Sequence, residues 1–541
     1  LFGKNGIVPA YLQFNSNKGA ISAIHRNPTL LHFASYIGLD VDYMMDVLAL
    51  LGILISFTSF ISQTFCLLPT FAALWSLYYS LVQVMQVFGN QSDLLLLEAG
   101  FICLMIAPLN ASYRSSVSDK IGIAMIKWCL FRFMFDSGAV KFFSGCPQWW
   151  RFAGLSFHFE TLPLPTAFSW YCYYLPSNFM KVTNIYTNLT ELVCPWFFYF
   201  PNRAVRILLF HWVFYLQLTI IFSGNYGFLN FLVSILLLSL LDDEYLENRS
   251  FTRFDNEFTT GILQRYKIYF LTEGIFEKNF GHKCSSRFYS MFVGFSWYLG
   301  GKYDYREKCV PHNNLDSAMN ITNTQLGKYY HAINKYHIVN EYGRHLRKMR
   351  TERYEVTLEY TQDVNESWNE LKFLFKPWST SQYPPFAGPY LPRLDIKFYE
   401  TAIGNYREHS WILALVYRIL QNEPTVLKLF GIESSLEPTP KYVRGILNKF
   451  KYTPLNEFGD NFWNRRVMRE YFPAFSIDNP TLQGYLATLK ITGKLKPQQI
   501  KNSFLKNILD FIRQQAFLME GHILLQSVLV AGLIIIYLKK Q

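Results

Sequence analysis

The sequence is short of charge. Only 17% of its 541 residues are Asp, Glu, Lys or Arg, where globular chains carry roughly 25%. Too few charged groups are present to keep a surface of this size wet. Cysteine is sparse as well, at eight, and no Cys-x-x-Cys occurs, so a thioredoxin-like redox centre lacks its signature. A His-Glu-x-x-His helix, a Gly-rich phosphate loop, a serine nucleophile elbow and zinc spacing are missing too. Disorder, collagen and a small disulfide scaffold are excluded by composition and length. No internal repeat is evident.

What is abundant is apolar. The chain is 50% hydrophobic and 18% aromatic, with Phe 49, Tyr 36 and Trp 12. A mean hydropathy of +0.08 is too low for a chain made only of membrane spans. A membrane half joined to a soluble half fits. Apolar runs recur at Met44 to Ser62, Phe65 to Phe88, Leu94 to Leu109, Ile121 to Phe143, Ala204 to Phe222 and Gly227 to Leu241. A spanning helix needs about 20 such residues. The aromatic stretch from Tyr186 to Phe200 is a weaker candidate, and Ile523 to Leu538 supplies a last apolar helix before Lys539 and Lys540. The count is about seven spans plus a terminal anchor. Gly224-Asn-Tyr-Gly227 reads as a tight turn between antiparallel helices.

The expected fold is thus a multi-pass α-helical membrane domain plus a mixed α/β soluble domain. That domain is expected to have a β-sandwich-like core and a C-terminal transmembrane helix. The boundaries follow from the runs: an interfacial segment over 1–42, the polytopic domain over 43–242, the soluble domain over 243–520 and the anchor over 521–541. Strands are predicted at Tyr354 to Thr361, Trp368 to Phe375, Tyr442 to Tyr452 and Phe462 to Phe472, where apolar and polar residues alternate. Asp363 to Ser367 is the expected hairpin loop. Helices are predicted at Trp411 to Leu420 and Leu482 to Ile491, and one long helix from Pro497 to Leu538.

The net charge of +12 comes without any nucleic-acid module, so nucleic acid is not a predicted partner. The basic cluster Arg344, Arg347, Lys348, Arg350 and Arg353 reads as a solvated face or a headgroup contact. Orientation is contested. Arg203 and Arg206 favour a cytosolic soluble domain, whereas the sequons at Asn320 and Asn365 are used only in a lumen. In an oxidising compartment Cys284 and Cys309 are the obvious disulfide pair.

Ionisable groups inside apolar runs are costly, and so informative. Glu98, Arg132, Asp136 and Lys141 form such a set. Arg132 and Asp136 share a helix face at i, i+4, and Glu98 is the natural inter-helix partner for one of the two bases. Two readings stand: a buried ion network that fixes packing, and a functional polar cavity. His158 and Glu160 suit an acid–base pair by chemistry, yet i and i+2 share a face only in an extended segment. An interfacial, hydrogen-bonded His158 is the alternative.

Together these segments resemble the lipase maturation factor family of endoplasmic reticulum membrane proteins. The similarity begins at Leu1 to Ala10, continues through Phe88 to Phe101 with Asn90 and Asp93, and takes in Gly145 and Trp149. It passes His158 to Pro165 with Glu160, then Ser223 to Asn230 with Asn225 and Asn230, and ends at Trp368 to Pro377 and Pro392-Arg393-Leu394-Asp395. The family's Pro-Arg-Leu-Asp-Trp-Gln-Met-Trp pattern departs here to Ile396-Lys397-Phe398-Tyr399. Family members carry a membrane helix ahead of the Leu1-like segment, so an upstream helix is expected. The resemblance implies a lumenal soluble domain, no cofactor, no catalytic residue, membrane lipids as surroundings and a lipase-like client as partner. An accessory subunit of a larger membrane complex is the alternative. A more distant resemblance to the helical domain of γ-glutamyl carboxylases implies an enzyme working through Lys141, His158 and Glu160.

Overall fold

A computed structural model describes residues 1–14, 24, 27–109, 117–242, 245, 333–343, 348–433, 435–457, 459–489, 491, 500–517 and 521–538. Asn320, Cys284, Cys309, Arg344, Arg347, Lys539 and Lys540 lie outside the described residues.

The chain is mostly helical. The apolar runs become α1 (Val41–Ile61), α2 (Leu68–Val84), α3 (Gln91–Ile106), α4 (Val117–Phe143), α6 (Arg203–Ser223) and α7 (Leu229–Leu237), while α5 (Ser177–Leu192) takes in only the start of the Tyr186 to Phe200 stretch. Polar side chains mark where they begin. Asp40 accepts from the Tyr43 amide at 2.9 Å, and Asn202 from Ala204 at 2.9 Å. Asn90 and Asp93 form a reciprocal capping box at the start of α3, which satisfies amides that the first turn leaves open. By length and composition α1 and α6 can each cross a membrane. The other runs fall short for visible reasons: α2 and α3 have 17 and 16 residues, and α4 carries Arg132, Asp136 and Lys141.

The Gly224–Gly227 turn is present between α6 and α7. Gly227 has φ +63°, and a Cβ there would meet Leu391 at 2.8 Å. Glycine is therefore required twice, by the backbone and by the close approach.

In the C-terminal half, β1 (Arg353–Thr361), β2 (Asn369–Glu370), β3 (Tyr442–Tyr452) and β4 (Trp463–Phe475) form one antiparallel sheet in the order β2-β1-β3-β4. Register runs from Arg353 opposite Phe450 to Thr361 opposite Tyr442. The strands at Tyr354, Tyr442 and Phe462 fall close to their predicted positions. The one at Trp368 to Phe375 is reduced to two residues, because the Phe375 and Lys376 amides are taken by the Asp395 carboxylate at 3.2 and 3.0 Å instead of by a neighbouring strand.

The sandwich expectation requires correction. The described residues contain a single sheet, and the layer on its apolar face is helical. Val356, Leu358, Val443 and Phe472 pack there against α8 (Arg393–Thr401), α9 (Ser410–Leu420) and α10 (Pro480–Thr488). α9 supplies the apolar layer that a second sheet would otherwise give: Trp411 to Val416 are all buried.

The single long C-terminal helix is two helices. α11 (Ser503–Phe517) and α12 (Gly521–Leu538) differ in direction by 100°. α11 is tied to the start of α1, with Arg513 on Asp46 at 2.5 Å and Asp42 at 3.1 Å, and Tyr43 on Asp510 at 2.6 Å. α12 runs beside α1, where Gly532 lies against Phe57 and Phe60.

Candidate functional site at the contact of the two halves

β1 alternates as a half-buried strand should, yet both of its faces are buried. Arg353, Glu355, Thr357 and Thr361, on the face away from the helical layer, are all nearly inaccessible. Loop 159–165 of the helical half covers the Arg353 end of that face. The Arg353 guanidinium donates to the carbonyls of Glu160 at 3.1 Å, Leu162, and Pro163 at 3.0 Å. The same side chain donates to Glu355 at 2.6 Å, and Glu355 receives Lys376 Nζ at 3.1 Å. Lys376 also donates to the Val356 carbonyl at 2.8 Å. A buried chain thus runs Asp395, Lys376, Glu355, Arg353 and the loop. Burying one such charge unpaired costs several kcal/mol; here each has its partner. Burial raises the Asp395 carboxyl to about 6, against two backbone donors and Lys376. Burial also lowers Lys376, with Glu355 opposing.

A second contact joins α3 to α8. Asp93 accepts two 2.7 Å bonds from Arg393, which also donates to the Phe88 carbonyl at 3.0 Å. Tyr78 donates to the same carboxylate at 2.7 Å. Arg393 is half-buried, and burial opposes its charge, but Asp93 and Tyr78 together more than offset this and raise its affinity for the proton. Asp93 therefore both caps a helix and fixes the other half. Pro392 precedes the first turn of α8.

A third contact is the turn after α6. The Asn225 side chain donates to the Pro385 carbonyl at 2.8 Å and accepts from the Ala387 amide at 2.7 Å. Its backbone N–H donates to Leu164 at 2.9 Å, beside the bridge between Pro165 and Gly224. A fourth is the end of loop 159–165. Glu160 accepts from the Tyr452 amide at 3.3 Å, and Tyr399 donates to the Thr161 carbonyl. Trp170 and Tyr174 donate to the Thr453 carbonyl at 3.1 and 2.9 Å.

The buried ion set of α3 and α4 is occupied by an incoming segment. Arg132 pairs with Glu98 at 2.6 Å and donates to the Asn340 carbonyl. Glu98 in turn accepts from the Asn340 amide at 2.9 Å and from Tyr342 at 2.7 Å. Asp136 faces the backbone N–H of Tyr342. Gly343, with φ +79°, lies so close to α4 that a Cβ would meet Ser137 Cα at 2.9 Å. Residues 338–343 are thus wedged into the helices. Lys141 pairs with Glu191 at 2.5 Å, and its ammonium lies 4.9 Å from the Trp149 ring centre.

The remaining motif residues lie within one half or the other. Asn230 donates to Gln217 at 2.8 Å, Gly145 has φ +66° after α4, and Trp368 lies under Arg444 at 4.0 Å. Asn365 is exposed in the loop after β1. Lys141, His158 and Glu160 do not converge. Their partners are Glu191, the Tyr226 hydroxyl at 3.2 Å and the Tyr452 amide. Among the described residues no three His, Cys, Asp or Glu side chains gather around one point in a metal-binding arrangement.

Sequence reasoning missed Arg353, Glu355, Lys376 and Glu191. The basic cluster reads as a solvated face or a headgroup contact, but Arg353 is sealed in the contact and Arg350 stacks on Tyr399 at 3.7 Å. One signal was available: the charged residues of β1 alternate as regularly as its apolar ones.

These features define a membrane protein whose helical half is clamped, by charged and amide side chains, to a C-terminal half built on one antiparallel sheet. Family comparison agrees on both halves. The model described as "Lipase maturation factor transmembrane domain" matches residues 1–248, and "Lipase maturation factor C-terminal domain" matches 338–473. Lipase maturation factor 2 of Gallus gallus is 31% identical over 613 aligned residues, covering 98% of this chain and 85% of that protein. The Homo sapiens lipase maturation factor 2 is 28% identical (98% and 87% covered), and lipase maturation factor 1 is 29% identical (88% and 83%). No solved structure matches. The chain belongs to the lipase maturation factor family.

Proposed function

We propose that this chain is a membrane-anchored folding factor of the endoplasmic reticulum that assists secreted lipases or other secretory clients, with its C-terminal half in the lumen. The observation that carries the reading is similarity over nearly the whole chain to proteins named lipase maturation factor. The clamp supplies a physical basis, since it holds the sheet at a fixed place on the helical half. β4 is the outer strand of that sheet and exposes Val467 and Met468. Outer strands and shallow apolar patches are where a partly folded client is held, by strand addition or side-chain contact. In this reading Glu98, Arg132, Asp136 and Lys141 fix helix packing, and the helical half is the polytopic anchor, with α12 its terminal span. The exposed Asn365 sequon favours the lumenal side.

The test is co-expression with a dimeric secreted lipase in cells lacking their own maturation factor. Full-length chain should restore secreted lipase activity, and a chain lacking residues 243–520 should insert in the membrane without restoring it. Restoration by the helical half alone would refute the reading. Asn365→Gln should remove one endoglycosidase-sensitive step in gel mobility; an unchanged mobility would argue against a lumenal, glycosylated domain.

A further inference from the structure

α5 is built inside out. Its buried side chains include Asn184, Thr187, Asn188, Thr190 and Glu191, while Val182, Ile185 and Leu189 are exposed. Polar exposed residues are confined to its first turns, at Ser177, Asn178 and Lys181. Beyond Lys181 each exposed residue of the helix is apolar, and the pattern continues into Val193, Trp196 and Phe197. A helix on a water-facing surface shows the reverse arrangement.

The depth of α5 is fixed by its neighbour. Tyr186 donates to the Trp212 carbonyl at 2.7 Å, and the Trp212 indole donates to Thr190 at 2.8 Å. Trp212 lies next to the midpoint of α6, one of the two helices long and apolar enough to cross a membrane. Leu208 and Tyr215 expose apolar surface on the same helix, so the outward face of α5 is continuous with that of a span.

We propose that α5 is embedded in the bilayer, with Val182, Ile185 and Leu189 against lipid acyl chains and Lys181 reaching to the headgroup boundary. Lysine near a helix end extends its ammonium this way. The polar residues then face inward, where Glu191 meets Lys141 and Thr190 meets Trp212, as polar side chains do between helices in lipid. Averaged hydropathy misses α5 because its polar and apolar faces cancel. One consequence concerns the clamp: loop 159–165 is joined to this lipid-held helix through the short helix Ala167–Tyr173, whose Trp170 also meets Thr453.

The test places p-benzoylphenylalanine at Val182, Ile185 or Leu189 in the full chain, reconstituted in phosphatidylcholine vesicles and irradiated. Asn178 carries the same label as a comparison. We expect phospholipid adducts, read by mass spectrometry, at all three positions and several-fold fewer at Asn178. Adducts to a second protein chain would overturn the proposal, as would recovery of unreacted label at the three positions. All four residues are exposed, so the substitutions leave packing intact, and unchanged recovery of the folded chain verifies that.

Discussion

In the helical half Glu98, Arg132, Lys141, Asn184 and Glu191 are buried beside an apolar core that includes Leu95, Phe131 and Val213, while Leu54, Leu208 and Ile235 face outward. In the C-terminal half Leu415, Val416, Ile419, Phe430 and Phe472 are inside. Each arrangement hides what its surroundings reject: polar groups are costly against lipid, apolar groups against water. Where the halves meet neither rule applies. The contact buries charge on both sides, in Arg353, Glu355, Lys376, Asp395 and Asp93. Such a contact is specific because it fits one partner and leaves unpaired charge against any other.

The contact between the halves is most vulnerable at Arg353. Arg353→Ala would leave three carbonyls of loop 159–165 without this donor and the Glu355 carboxylate with Lys376 alone. Thermal unfolding in detergent should show a loss of about 3–5 kcal/mol, typical of breaking a buried pair from one side, or failure of the C-terminal half to fold. A wild-type melting profile would show that the polar face of β1 is incidental.

Arg393→Ala should cost somewhat less, about 2–4 kcal/mol, since the guanidinium is partly exposed and Asp93 keeps Tyr78 and its capping bonds. Its effect should be greater on the union of the halves than on either half alone, and limited proteolysis reads that difference. Glu98→Gln keeps an acceptor for Tyr342 but removes the charge facing Arg132. It should loosen segment 338–343, seen as faster amide exchange at Asn340 and Tyr342, with the C-terminal sheet unaffected.

A smaller effect concerns pH. Burial pushes the Asp395 carboxyl up from an ordinary 3.8 to about 6 in the folded chain, so between those values the folded form holds a proton that the unfolded form has released. Its contribution to stability is therefore greatest below about pH 4 and declines as pH rises to about 6, by at most about 3 kcal/mol. Asp395→Asn keeps an oxygen for the Phe375 and Lys376 amides and removes the titration. The variant should gain on wild type as pH rises from 4 to 6, and equal slopes would exclude Asp395 as the titrating group.

The legible parts of the molecule were those with a periodic signal. β1, β3, β4 and α9 lie close to their expected ranges because alternation and helical period were clean there. The turn at Gly224 was legible because its residues allow few conformations. The sheet's partner layer was not, since the apolar face of β1 has the same pattern whether a sheet or a helix covers it. Glu98 was visible as a costly charge in an apolar run, and its bond to Arg132 joins two helices adjacent in sequence. Asn340 and Tyr342, more than 240 residues from Glu98 in the chain, carried no local mark. The same holds for Arg353, whose basic neighbours suggested solvent. Pairing across the two halves is a long-range property, and motif residues such as Asp93 and Arg393 showed their positions without showing each other.

The central claim is that these residues fasten the two halves together. A specific protease site inserted within residues 246–332 of the full chain, cut after purification in detergent, tests it directly. The halves should co-elute after cleavage in the wild type, and the urea concentration that separates them should fall in an Arg353→Ala/Arg393→Ala chain, where Asn225, segment 338–343 and α11 still hold. Separation of the wild-type halves without urea, or an unchanged urea requirement in the doubly substituted chain, would contradict the account.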